Sequence, residues 1–421
     1  MAYRVRVVSV PPPALRTPEL GAGVEAELSL RRRVGSLATL SLGHAVNDSY
    51  AYVLQALLPA IMTSLGLTLG MAGSLVSLYQ LTSSLIQPAV GYVADRSALR
   101  WPAWAGVALS GIGAGLLGLA PSYLAVLGLL VLAGIGTSIF HPVSAAMAGA
   151  AAPPRSRGRW LGLYVTAGNF GLALGPLLAG TLLVRFGAAG TWPIVFPGLV
   201  AAGLVSVMAP GRAKPIRRMP SLRETVRRHQ RILLSLILVV ALRAWATAAI
   251  VTFIPLLARD RGASLGQGAQ TLTLYLVAGA LGGLAGGFAA DRWGRDRVIV
   301  VSLLCSVPFG LYVAFGADAG LWFTAAAAAS GFLLNGSFVV LTIRGQESVP
   351  GSVGMVTGIM LGLSVGLGGL AVTPLALVAE RAGLPIAAGI AACLGGGAAL
   401  AMRLVPRAPA VDGERPTDTG G

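Results

Sequence analysis

Charge is nearly absent from twelve long stretches of this 421-residue chain, and that absence constrains its fold more than any single motif. The stretches run at about 36–60, 68–92, 103–120, 122–150, 159–184, 191–209, 232–257, 267–290, 298–316, 319–343, 352–379 and 384–405. A spanning helix takes about 20 mostly apolar residues, and lipid offers nothing to an unsatisfied backbone group, so each stretch is expected to be a helix. Asp, Glu, Lys and Arg make up 11% of the chain, less than half the share usual in soluble domains. A water-facing surface cannot be built from so few. The soluble globular class and intrinsic disorder are both excluded. The expected fold is all-α and integral to the membrane, with twelve transmembrane helices in two six-helix bundles.

The net charge of +16 has two readings, a nucleic-acid partner or a topology signal. Position decides between them. Of 31 basic residues, 26 lie in the N-terminal tail, in the loops after even-numbered spans, or at the C-terminus. The loops after odd-numbered spans hold four, Arg185, Arg259, Arg261 and Arg381, and the one that remains, Arg243, lies inside span seven. Such asymmetry places both termini in the cytoplasm. Because the basic residues are dispersed among loops, no nucleic-acid partner is expected. The first 33 residues are basic, carry Pro11, Pro12 and Pro13, and have no sustained apolar run, which reads as a cytoplasmic tail and not a signal peptide. The organisation expected is a tail at 1–35, a bundle at 36–210, a basic linker at 211–231, a second bundle at 232–405 and a tail at 406–421.

The halves resemble each other at an offset of 196 residues. Gly91, Asp95 and Arg96 after span two recur as Gly287, Asp291 and Arg292 after span eight; Gly158 and Gly162 recur as Gly354 and Gly358. This is the pattern of a duplicated six-helix unit, a parallel repeat known in secondary transporters. In the two G-x-x-x-D-R segments, glycine would let a neighbouring helix approach, while Asp would cap a helix or pair with Arg. With Arg295 they form either a conformational ion-pair latch or ordinary topogenic charge.

Ionisable residues inside spans are costly and are therefore functional candidates. Four are well embedded: His44 and Asp48 in span one, His141 in span four and Arg243 in span seven, with Asn335 in span ten as a polar companion. His44, Asn47 and Asp48 follow i, i+3, i+4 spacing and share one helix face. Asp48 lies 15 residues beyond Arg33, roughly 22 Å along a helix and near the middle of the bilayer. Three readings of Asp48 and Arg243 stand open. They form a structural ion pair; or Asp48 carries a proton that His44 shares; or Arg243 binds an anionic substrate group with Asp48 as its resting partner. His141 precedes Pro142 and either binds substrate or satisfies the carbonyl that proline frees. Nothing in the spacing of His44, Asp48 and His141 demands a metal, and Cys305 and Cys393 lack Cys or His at ligand spacing, so no metal, disulfide or cofactor is expected.

The paired G-x-x-x-D-R segments, the twelve spans and the central basic linker resemble the major facilitator superfamily. The second copy, with Gly294 and Arg295, is the closer match; the first has Ala98 in place of the second glycine. Further motifs are Gly43-His44 with Asn47-Asp48, Tyr79-Gln80, Gln87-Pro88, Phe140-His141-Pro142, Gly168-Asn169, Gly175-Pro176, Arg243-Ala244-Trp245 and Gln346-Glu347. Together they resemble the fosmidomycin-resistance branch, bacterial drug efflux proteins. Val143 and Ala146 stand where that branch often has Glu and Arg, so its drug specificity is not carried over. The resemblance implies that spans one, four, seven and ten line a central cavity. It also implies a monomer in the bacterial cytoplasmic membrane.

The expected function is therefore proton-coupled export of a small compound by alternating access. Asp48 and His44 would couple protons; Arg243, His141, Asn47 and Asn335 would bind substrate. A uniporter or a proton-coupled importer is the alternative, and a non-transporting sensor is the alternative from another class. No P-loop or catalytic triad motif points to an enzyme or to ATP-driven export.

Overall fold

A computed structural model describes residues 19–96, 99–153, 156–208, 227, 229–348 and 353–406. Among the described residues all regular structure is helical. Helices fall at all twelve expected positions, and among the described residues ten are long and apolar enough to cross a membrane. The first span joins α1 (Glu19–Ser49) to α2 (Val53–Leu65) through one 3-10 turn, and the second joins α3 (Leu69–Leu85) to α4 (Gln87–Arg96). Single helices follow: α5 (Trp101–Gly115), α6 (Tyr123–Ala151), α7 (Arg157–Phe186) and α8 (Val195–Met208). Beyond the linker come α9 (Gln230–Asp260), α10 (Leu265–Trp293), α11 (Arg295–Phe315), α12 (Leu321–Ser348), α13 (Val353–Ala382) and α14 (Leu384–Ala401).

One boundary departs from expectation. Helix α1 begins at Glu19, inside the stretch read as tail. Glu, Ala, Leu and Arg are all strong helix formers, so the helix extends past the apolar run that hydropathy marks. The basic linker itself lies largely outside the described residues. At the other end of the bundle, local chemistry stops and starts the helices. Gly66 closes α2 at φ +65°, Thr68 caps α3 by accepting from the Met71 amide, and a Ser264–Gln267 capping box opens α10.

In lipid, helices gain little from burying apolar surface against one another, so close packing relies on small residues. A Cβ on Gly171 would stand 2.0 Å from the Ala45 carbonyl oxygen, and one on Gly175 would stand 1.7 Å from that of Ser49. These glycines press α7 onto α1. In the second half a Cβ on Gly282 would stand 1.9 Å from the Phe332 carbonyl oxygen, which brings α10 onto α12 in the same way.

Helices α1–α8 pack among themselves, as do α9–α14, and the two groups meet chiefly along α3 with α13 and α7 with α10. The closest contacts lie away from the linker. Ser77 donates to the Gly369 carbonyl at 2.6 Å, the Gly70 amide donates to Glu380 at 2.7 Å, and Arg259 donates to the Pro59 carbonyl at 2.6 Å. Gly180 of α7 likewise sits directly on Ala269 of α10. The halves are thus sealed together at the end opposite the linker.

Candidate functional site

Span one carries its polar face into the first half. His44 and Asp48, one turn apart on α1, pair through Nε2 and Oδ2 at 3.2 Å. The other carboxylate oxygen of Asp48 meets Nε2 of His141, from α6, at 3.3 Å. Asn47 donates to Asp48 at 3.3 Å, and its amide oxygen is fixed by Ser110 of α5 at 3.0 Å. Its Nδ2 also lies 3.4 Å from Nε2 of His141. Three residues expected from sequence for coupling and binding, His44, Asn47 and His141, therefore converge on the carboxylate of a fourth, Asp48.

Helix α7 holds this group in place. Nδ1 of His44 lies 2.9 Å from the Tyr164 carbonyl, and the His44 ring stacks on Tyr164 at 4.2 Å between centroids. Such an approach needs the small residue at 168, where a Cβ would stand 2.6 Å from both Asp48 Oδ2 and His44 Cε1. The Tyr164 hydroxyl is bonded to Ser144 of α6 at 2.7 Å. Ser110 and Tyr164 escaped notice as site residues because a serine and a tyrosine in apolar helices carry no distinctive pattern. The small residues at 168, 171 and 175 carried the one available signal, a glycine stripe at helical spacing.

The hydrogen bonding has a chemical consequence. A carbonyl oxygen only accepts, so His44 bonds Tyr164 through a hydrogen on Nδ1. An ionised carboxylate also only accepts. The 3.2 Å contact between Nε2 and Asp48 therefore requires one further hydrogen, held on either partner and shared between them. Asp48, side chain 13% accessible, and His141, at 27%, are not fully enclosed by the protein.

Arg243 of α9 is placed differently. It is 3% exposed, donates from Nε to the Leu334 carbonyl at 3.0 Å, and reaches Asn335 Oδ1 at 3.5 Å. Its guanidinium lies 4.4 Å above the Phe338 ring, a cation–π distance. No carboxylate pairs with it among the described residues, so the structural ion pair with Asp48 is not formed in this arrangement. The reason is local: two imidazoles occupy both oxygens of Asp48, while α12 supplies dipoles and a ring to Arg243. Tyr52 lies near enough to interact electrostatically with both Asp48 and Arg243.

The G-x-x-x-D-R segments were expected to form a latch. The side chains of Asp95 and Arg96 lie outside those described. In the second copy, Arg295 pairs with both Asp291 and Glu347, and Arg344 pairs with Asp296 at 2.9 Å. All of these are contacts within the second half. Arg292 is exposed. Among the described residues the glycines bring no close approach: a Cβ on Gly287 would meet nothing within 4 Å, and one on Gly91 only Pro142 at 3.6 Å.

The residue pattern and the geometry can be set against known proteins. The family model described as Major Facilitator Superfamily matches residues 40–373 and 236–420. The chain belongs to the major facilitator superfamily. Within it, the Fosmidomycin resistance protein of Escherichia coli (strain K12) is 31% identical over 388 residues, covering 90% of this chain and 94% of that protein. The uncharacterized MFS-type transporter YfnC of Bacillus subtilis (strain 168) is 31% identical over 359 residues, covering 83% and 87%. Among solved structures, a D-xylose–proton symporter aligns with TM-score 0.73 at 16% identity, over 89% of this chain and 98% of that one. A bacterial homolog of the human lysosomal transporter Spinster aligns with TM-score 0.72 at 17% identity, over 88% and 96%. This superfamily member is therefore a multi-pass membrane transporter of small molecules.

Proposed function

We propose that this transporter is a proton-coupled exporter working by alternating access, with Asp48 and His44 holding the coupling proton. One observation carries the reading: inside the membrane, a single carboxylate is bracketed by imidazoles from two helices, and the bonding leaves one hydrogen for His44 and Asp48 to share. A group that takes and gives up a proton as its surroundings change is what coupling requires. The halves are closed at the end opposite the linker, and the asymmetry of the basic residues assigns that end to the outside. In this reading the arrangement is the inward-facing one. Rocking of the halves would break the seal at Gly70, Ser77 and Pro59 and expose Asp48 to the other side.

Arg243, with Asn335 beside it, supplies the substrate contact from the second half, and His141 and Asn47 supply it from the first. The G-x-x-x-D-R segments at the linker end, including Asp95, Arg96, Asp291 and Arg295, would stabilise the opposite, outward-facing arrangement. The test is expression in an efflux-deficient bacterial host challenged with a compound panel that starts with fosmidomycin, with Asp48→Asn alongside. Resistance to at least one compound, abolished by Asp48→Asn, is expected. Resistance that persists undiminished in the Asp48→Asn strain would remove the proton role.

A further inference from the structure

We infer that His44, Asp48 and His141 also form a binding site for a borderline divalent transition metal of the Zn2+ class. The donor atoms, His44 Nε2, His141 Nε2 and one carboxylate oxygen, all lie within 4.8 Å of one another. Zinc bonds to nitrogen and oxygen are about 2.0–2.1 Å long, so two donors of a tetrahedral site stand about 3.3 Å apart. Oδ2 of Asp48 stands 3.2 Å from His44 Nε2 and Oδ1 stands 3.3 Å from His141 Nε2, so whichever oxygen binds, one edge of such a site is already in place. The other two edges, each no longer than 4.8 Å, would shorten as the side chains draw onto the ion.

The surrounding contacts suit the same ligand. Histidines that bind metals commonly donate their other ring N–H to a carbonyl, which fixes the tautomer and aims the lone pair. His44 does so through Nδ1 to Tyr164 at 2.9 Å, and Tyr164 is in turn stacked on the ring. Asp48 is steadied by Asn47, which Ser110 steadies. With three protein donors, the fourth tetrahedral position is left open, facing the partly accessible side where His141 is 27% exposed. Two imidazoles and one carboxylate suit Zn2+ and Co2+ and are poor ligands for Mg2+ or Ca2+. The ion would occupy the space of the shared proton, so metal and proton exclude each other and a bound metal arrests the carrier. The site shares residues with the proton reading but does not depend on it, because binding is measured without transport.

The test uses the purified full-length chain in detergent with Cys305 and Cys393, both free and exposed, changed to Ser so that thiols do not compete. Isothermal titration with Zn2+ alone is expected to show one site per chain. That site should weaken by more than the roughly 10–100-fold that outer-shell partners are worth in either His141→Gln or Asp48→Asn. It should persist in His229→Gln, which removes the remaining histidine of the chain. Co2+ added to the same protein should give the intense visible absorption of four-coordinate cobalt, a signature that is lost in His141→Gln and does not require transport. No Zn2+ binding, or binding unchanged in both His141→Gln and Asp48→Asn, overturns the proposal. In that event, drug export that still depends on Asp48 would leave the proton reading standing.

Discussion

In the first half, the intramembrane charge is an anion, Asp48, with both oxygens engaged by imidazoles drawn from two helices. In the second half it is a cation, Arg243, held by a carbonyl, an amide oxygen and an aromatic face, with no carboxylate on it among the described residues. The two charges arise from neighbouring positions of the sequence repeat, since Asn47 plus the 196-residue offset gives 243. At this offset the two halves correspond in position along the sequence but not in chemistry. A carboxylate between imidazoles is neutralised when the group holds the shared hydrogen and carries a charge when it does not. A guanidinium held only by dipoles still carries unneutralised charge, and in a low-dielectric setting that charge favours an anionic guest. Under the proposed function this difference would divide the work, with the coupling proton held in the first half and the substrate's anionic group anchored by the second.

The largest effect that would break this division is steric. Gly168→Leu drives carbon into the 2.6 Å gap beside Asp48 and His44, and transport in membrane vesicles should fall at least ~100-fold, equivalent to about 2.7 kcal/mol. Gly162→Leu, where a Cβ meets nothing within 4 Å, should leave transport unchanged. Next comes Arg243→Gln. Losing a charge-assisted contact with substrate costs about 1.5–3 kcal/mol, so KM should rise about 10–100-fold while the fold survives, because no buried acid is left without its partner. Arg243→Lys should restore little, since the contacts to Leu334 and Phe338 use the flat guanidinium and its Nε. A smaller change is expected at Asn335→Ala, where the 3.5 Å contact is at the limit of a hydrogen bond; KM should move by no more than about 5-fold. Smallest is Asp291→Asn, which removes an exposed ion pair worth about 0–1 kcal/mol and should leave thermal stability in detergent nearly unchanged.

Most of the fold was legible in the sequence because lipid enforces a simple code. Apolar length marks the spans, and basic residues mark the ends. The start of α1 was less legible, because hydropathy sees the membrane segment and not the helix that continues past it to Glu19. At the site, helical spacing and depth singled out His44, Asn47, Asp48, His141 and Arg243 as the embedded polar residues. Partners were another matter. Sequence distance cannot say which of two helices faces Asp48, so an ion pair with Arg243 stood among the open readings and a pair with His141 was not singled out. Glycines at 168, 171 and 175 decide it in the structure by seating α7 on α1, which sets Tyr164 against His44 and turns Asp48 toward His141. Ser110 and Phe338 had no sequence signal at all, since a lone serine or phenylalanine in an apolar helix is ordinarily packing.

The division of work between the halves is tested most directly in proteoliposomes loaded with an exported compound, by recording substrate flux and proton flux together. In Asp48→Asn, exchange of labelled for unlabelled substrate should continue while proton movement and gradient-driven accumulation cease. In Arg243→Gln at the same substrate concentration, exchange itself should fail. Gradient-driven accumulation with accompanying proton flux in Asp48→Asn would contradict the account.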